Sequence, residues 1–121
     1  MASLNASALS LWNGTDGDDN VDLTDGDDNY NAGNGKDTVR GGLGNDTIRG
    51  GNGKDVVFGG DGDDRLIGGN GKDELRGGLG ADWMSGENGK DLLVSDGGDD
   101  TMTGGEANDR FRITEASGQT V

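Results

Sequence analysis

Residues 50–76 read GGNGKDVVF GGDGDDRLI GGNGKDELR, three blocks of nine in which Gly, Gly, Gly and Asp return at places one, two, four and six. The eighth place holds Val57, Leu66 and Leu75. Working outward, the same frame runs back to Gly14 and on to Arg112 without an insertion, making eleven units. The sixth place is always Asp: Asp19, Asp28, Asp37, Asp46, Asp55, Asp64, Asp73, Asp82, Asp91, Asp100 and Asp109. The fourth is Gly from Gly17 to Gly98 and becomes Ala107 in the last unit. The eighth is always large and apolar, from Val21 and Tyr30 through Met84 and Leu93 to Met102 and Phe111. One apolar residue in nine is too sparse for a helix face or an alternating strand. It fits a coil of short strands, each giving one residue to a shared interior, joined by Gly-rich turns.

Composition narrows the chemistry. The 121 residues include 27 Gly but no Pro, Cys or His, and 24 acids against 10 bases give a formal charge of -14. Collagen would need Pro and a period of three, and a flexible linker has no period. Without Cys and His there is no disulfide framework, no thiolate or imidazole metal site, and no common general base. No nucleophile and base pair can be named, so the chain reads as non-catalytic. Its acidity argues against nucleic acid as a partner and for cations as ligands. No stretch is apolar enough to span a membrane, and MASLNASALSLW lacks the basic leader of a signal peptide. One apolar row is little to offset the entropy of ordering the chain, so folding is expected to need a ligand.

The pattern Gly-Gly-x-Gly-x-Asp-x-(apolar)-x over residues 14–112 resembles the calcium-binding nonapeptide of the RTX, or repeats-in-toxin, family. The match is tightest in units three to nine. It loosens where Leu23-Thr24, Ser95-Asp96 and Ala107 replace expected glycines. The resemblance implies an all-β fold, a right-handed parallel β-roll or β-solenoid of eleven repeats with two repeats per coil. It implies calcium between neighbouring turns on each side. It also implies a secreted, extracellular bacterial protein exported by type I secretion, with a parent catalytic or adhesive domain elsewhere.

The residue types suit that ligand. Glycines at places one, two and four permit positive φ and let carbonyl oxygens point between stacked turns. Those expected to contribute carbonyls are Gly33, Gly35, Gly42, Gly44, Gly51, Gly53, Gly60, Gly62, Gly69, Gly71, Gly78, Gly80 and Gly89. The eleven sixth-place Asp residues add anionic oxygen. Oxygen donors in a flexible loop favour calcium over magnesium, which demands tight octahedral geometry. With odd units stacked on one side and even units on the other, five and four gaps allow up to nine sites. Nine divalent ions would carry the charge from -14 to +4.

Three segments follow: an N-terminal flank, 1–13, with Trp12 on the apolar row as a cap; the roll, 14–112; and a tail, 113–121. Phe111 and Ile113 either close the roll or belong to an incomplete cap. The Gly-Lys pairs are not phosphate loops, because Asp follows each Lys. Asp16-Gly-Asp18-Asp19-Asn20-Val21 is not an EF-hand, because Val21 replaces the required Gly.

Places seven and nine are expected to face outward. Lys36, Lys54, Lys72 and Lys90 recur in odd units alone, one coil apart, or about 4.8 Å. Arg40 and Arg76 lie on the same side. Two readings stand. The cations neutralise neighbouring Asp, with Phe58 and Val94 packing on a partner domain; or the strip contacts an acidic polysaccharide such as a polyuronate, as in RTX modules of some alginate epimerases.

Overall fold

The computed structural model describes residues 11–114. Its twelve strands are β1 Leu11–Asn13, β2 Asn20–Asp22, β3 Asn29–Asn34, β4 Thr38–Gly42, β5 Thr47–Asn52 and β6 Val56–Asp61. They continue as β7 Arg65–Asn70, β8 Glu74–Leu79, β9 Trp83–Asn88, β10 Leu92–Ser95, β11 Thr101–Glu106 and β12 Arg110–Ile113. The described residues form no helix, and so none long and apolar enough to cross a membrane. Odd-numbered strands make one parallel sheet, β1-β3-β5-β7-β9-β11, and even-numbered strands the other, β12-β10-β8-β6-β4-β2. Chain order thus alternates between two facing sheets, as a β-solenoid of about five turns.

The register follows from the repeat. Ile48 pairs with Leu66 and Leu66 with Met84; on the other sheet Val39 pairs with Val57 and Val57 with Leu75. Every step is 18 residues, two units per coil. A typical strand begins at place seven and ends at place three of the next unit, so places four to six form the turn. Extended, often β-branched residues at places seven and eight favour the strand, and Gly-x-Asp favours the turn.

The eighth-place side chains meet between the sheets. From Val21 through Tyr30, Val39, Ile48, Val57, Leu66, Leu75 and Met84 to Leu93, all are 0% exposed. The row opens at its C-terminal end, where Met102 is partly buried and Phe111 is 52% exposed, with Ile113 exposed too. Trp12 has its backbone in register with Tyr30, as the expected cap requires, but its side chain lies outside the described residues, as do 1–10 and 115–121.

The outer faces depart from expectation at Val94, which is fully buried. It stands in register between Arg76 and Arg112, long side chains of the kind whose aliphatic stems shield a shorter neighbour. On the opposite sheet Arg65 stacks on Trp83, 4.3 Å from the ring centroid. Third-place residues of the odd units form an amide ladder. Asn88 Nδ2 donates to Asn70 at 2.7 Å, Asn70 to Asn52 at 2.8 Å, Asn52 to Asn34 at 2.9 Å, and Asn34 to Asp16 at 3.1 Å.

Candidate metal centres along two edges

The turns stack into two edges, one built from odd units and one from even. On both, the sixth-place carboxylates point inward. Asp19 through Asp91 are buried, with Asp55 at 0% exposure. One carboxylate oxygen has a fixed partner. Asp64 Oδ1 accepts the backbone N–H of Asp46 at 2.8 Å, and Asp73 Oδ1 that of Asp55 at 2.9 Å. The pattern repeats coil by coil up to Asp109, which accepts from Asp91 at 2.9 Å.

The second oxygen has none. Oδ2 of Asp37, Asp46, Asp55, Asp64, Asp73, Asp82 and Asp91 is buried without a hydrogen-bond partner among the described residues. An unpaired ionised oxygen away from water is costly, and charge must be supplied or the group protonated. Burial, partly opposed by the N–H bond to Oδ1 and reinforced by nearby carboxylates, pushes Asp64, Asp73 and Asp82 up to about 7. The same causes take Asp46 and Asp55 to about 6.

A backbone oxygen converges with the free Oδ2 on the first-place glycine at Asp46, Asp55, Asp64, Asp73 and Asp91. Where a side chain on Gly59 would begin, Asp64 Oδ2 is 2.5 Å away and Gly77 O is 2.6 Å away. At Gly50 the corresponding oxygens are Asp55 Oδ2 at 2.6 Å and Gly68 O at 2.7 Å. The first-place glycines are therefore demanded by space; their φ is not positive, contrary to the expectation that all three glycines serve the left-handed region. That expectation holds at places two and four from Gly33 onward, as in Gly60 (φ 103°) and Gly62 (φ 119°), but not at Gly17 and Gly26.

The nominated carbonyls are ordered along the edges. Gly33 O points at Gly51 and Gly51 O at Gly69, while Gly35, Gly53 and Gly71 each point at the fourth-place glycine one coil on. Gly42, Gly60, Gly44, Gly62 and Gly80 do the same on the even edge, toward Gly60, Gly78, Gly62, Gly80 and Gly98. Gly69, Gly78 and Gly89 continue these rows at the same places of the repeat. The carbonyl that meets the free Oδ2 comes instead from place one of the following coil. Sequence reasoning passed over it, although the recurrence of Gly at place one was the available signal.

The eleven Asp residues are not equivalent. Thr15 Oγ1 and N bind the two oxygens of Asp19 at 2.8 and 2.7 Å, and Thr24 Oγ1 and N bind those of Asp28 at 2.8 Å each. Ser95 Oγ donates to Asp100 Oδ2. These are units where Thr or Ser replaces a Gly, and the oxygen left open elsewhere is met by the Thr15 N–H at Asp19, by the Thr24 N–H and hydroxyl at Asp28, and by the Ser95 hydroxyl at Asp100. Tyr30 is a second feature the repeat pattern hid. Its buried hydroxyl reaches the Gly14–Asp19 turn, and burial followed by the charges of Asp19 and Asp37 raises it to about 12.

The donor set suits a hard cation. An unpaired carboxylate oxygen beside a carbonyl oxygen, with no N–H or O–H on that Oδ2, is an anionic oxygen site. No group of three or more acidic side chains among the described residues is placed to hold a metal ion by itself, so such sites lean on the backbone. Of the nominated cations, Arg40 bonds Asp22 at 3.1 Å and Asn20 at 2.9 Å, and Arg76 bonds Glu74 at 2.8 Å. Lys36, Lys54, Lys72 and Lys90 make no ion pair among the described residues.

A parallel solenoid with a carboxylate row along each of two edges defines a repeat protein whose turns stack oxygen donors coil upon coil. A family model described as the RTX calcium-binding nonapeptide repeat (4 copies) matches residues 13–39, 31–66, 58–93, 67–102 and 85–112, and the chain belongs to that family. Neither the curated proteins nor the solved structures contain a significant match.

Proposed function

We propose that this chain is a calcium-folded module of a secreted bacterial protein, with ions held between successive turns along both edges. The observation that carries the reading is the recurrence, seven times, of a buried Asp Oδ2 with no donor to satisfy it. Calcium supplies the positive charge and the oxygen coordination that these positions call for. Asp37, Asp46, Asp55, Asp64, Asp73, Asp82 and Asp91 would be the carboxylate ligands, assisted by turn carbonyls. Asp19, Asp28 and Asp100, already capped by hydroxyls, and Asp109, at the open end, would contribute less. Seven ions, rather than the nine that counting gaps allows, bring the formal charge from -14 to 0. An unfolded chain has no such sites, so binding free energy becomes folding free energy. Low cytosolic and high extracellular calcium would then keep the chain unfolded for export and fold it outside, stabilising its parent. Native mass spectrometry in calcium tests the count: seven bound ions support it, and a protein without bound calcium rejects the reading.

A second reading attaches to the lysine row. Lys54, Lys72 and Lys90 line a groove of about 280 Å³ together with Arg110. Unpaired cations in a groove favour contact with an acidic polysaccharide over simple neutralisation of adjacent Asp. Retention of the calcium-loaded protein on a polyuronate column, lost in Lys54, Lys72, Lys90→Gln, is the expected result.

A further inference from the structure

The two edges carry the same carboxylate row in opposite electrostatic settings. Around the even-edge gap between units four and six, places three and five are Leu43, Asn45, Asp61 and Asp63, a sum of -2. The next even gap has Asp61, Asp63, Leu79 and Ala81, again -2. The odd-edge gap between units five and seven has Asn52, Lys54, Asn70 and Lys72, a sum of +2. The flanking odd gaps carry Lys36 and Lys54 or Lys72 and Lys90 in the same way. Four unit charges thus separate the gaps at Asp46 and Asp64 from those at Asp37, Asp55 and Asp73, whereas the gap at Asp82, with Leu79, Ala81, Gly97 and Asp99, sums to -1 and that at Asp91, with Asn88, Lys90, Glu106 and Asn108, to 0.

The lysines are close enough to matter, because the groove lined by Lys54, Lys72 and Lys90 is also lined by Asp55, Asp73 and Asp91. No ion pair holds them elsewhere among the described residues. Turn order does not separate the edges. On the even edge, side-chain oxygens cap the next turn: Asp27 accepts from Asn45 N at 2.7 Å, Asn45 from Asp63 N at 2.8 Å, and Asp63 from Ala81 N at 2.8 Å. On the odd edge, Lys cannot accept, and the Asn34–Asn88 ladder takes over that role at place three. Both edges are tied from coil to coil, which leaves charge to decide.

We infer that the roll holds two classes of calcium site: a tight class on the even edge, at Asp46 and Asp64, and a weak class on the lysine edge, at Asp37, Asp55 and Asp73, with Asp82 and Asp91, near the C-terminal end of the roll, between them. This rests on the calcium reading above. One exposed charge near a Debye length from a divalent ion shifts its affinity by roughly 1.5- to 2-fold, so four shift it roughly tenfold. The lysine edge is the part that empties first as calcium falls, while the even edge stays loaded.

The test is calcium release from the loaded full-length chain into excess fluorescent chelator by stopped flow. A fast and a slow phase are expected, near three and two ions with rates about tenfold apart, the ions at Asp82 and Asp91 leaving between them. Lys54, Lys72, Lys90→Gln should slow the fast phase several-fold and leave the slow one. Asp27, Asp61, Asp63→Asn, which retains the capping oxygens, should speed the slow phase. Arg49, Arg65, Arg112→Gln changes net charge equally but lies on the outer sheet faces and should change neither. A single phase in the wild type, or an arginine variant that matches the lysine variant, overturns the two classes and leaves calcium binding standing. A chain that releases no calcium overturns both.

Discussion

Gly59→Ala is a one-carbon test of whether the edge is built around the space beside the carboxylate. The backbone at Gly59 is not left-handed, so Ala is conformationally allowed there. Its methyl carbon, however, would stand 2.5 Å from Asp64 Oδ2 and 2.6 Å from Gly77 O, short of the 3.4 Å of ordinary contact by 0.9 and 0.8 Å. Neither obstacle moves easily. Asp64 is held through Oδ1 by Asp46 N at 2.8 Å, and Gly77 O is backbone of the next coil. Relief requires the coils to part, so overpacking of roughly 1–3 kcal/mol is joined by about 1 kcal/mol for a weakened ladder bond. The sum is about 2–4 kcal/mol, to be read by urea unfolding in saturating calcium. The methyl also fills the space next to the free Oδ2, so mass spectrometry should count one ion fewer. Asp61→Ala, an exposed change two residues away, should stay within about 0.5 kcal/mol and keep the full count. Unchanged stability and stoichiometry in Gly59→Ala would refute the reasoning.

Three other perturbations follow from the same geometry. In chelator, Asp64, Asp73 and Asp82 are held at about 7 in the roll against an ordinary value near 3.9 in the unfolded chain, so the roll binds more protons between those limits. The calcium-free fold is thus disfavoured as pH rises through that window, and circular dichroism should show β structure growing as pH is lowered from 8 to 5. Glu87 holds φ 74° at a place where most other units carry Gly, so Glu87→Gly should stabilise the loaded roll by about 1 kcal/mol in urea unfolding. Asn70→Ala removes one bond given and one received in the amide ladder, at 2.8 and 2.7 Å, and should cost about 1–2 kcal/mol by the same assay.

The architecture was legible because each unit repeats the same instruction. Leu66, Val57 and Leu75 announce an interior row, Asp64 and its equivalents an edge row, and the strict interval of nine puts alternate units on alternate sheets. Less legible were features that depend on which atoms meet across a gap of 18 residues. The first-place glycines look like turn residues, yet Gly59 is small because Asp64 and Gly77 converge on it. Thr15, Thr24 and Ser95 look like lapses in the pattern, yet their hydroxyls satisfy the neighbouring Asp and so change what it can bind. Val94 looks outward by its place in the unit yet is fully buried, in register between Arg76 and Arg112 across 18 residues, which no local pattern reports.

The central claim is that cation binding and folding are one event, because seven buried carboxylate oxygens lack a hydrogen-bond partner among the described residues. Circular dichroism of the whole chain at pH 8 tests it most directly, first in excess chelator and then through a calcium titration. The account predicts a coil spectrum in chelator, a cooperative change to β on calcium, reversal by fresh chelator, and little change with magnesium at the same concentration. A β spectrum that persists in excess chelator at pH 8, or one that magnesium produces equally well, contradicts it.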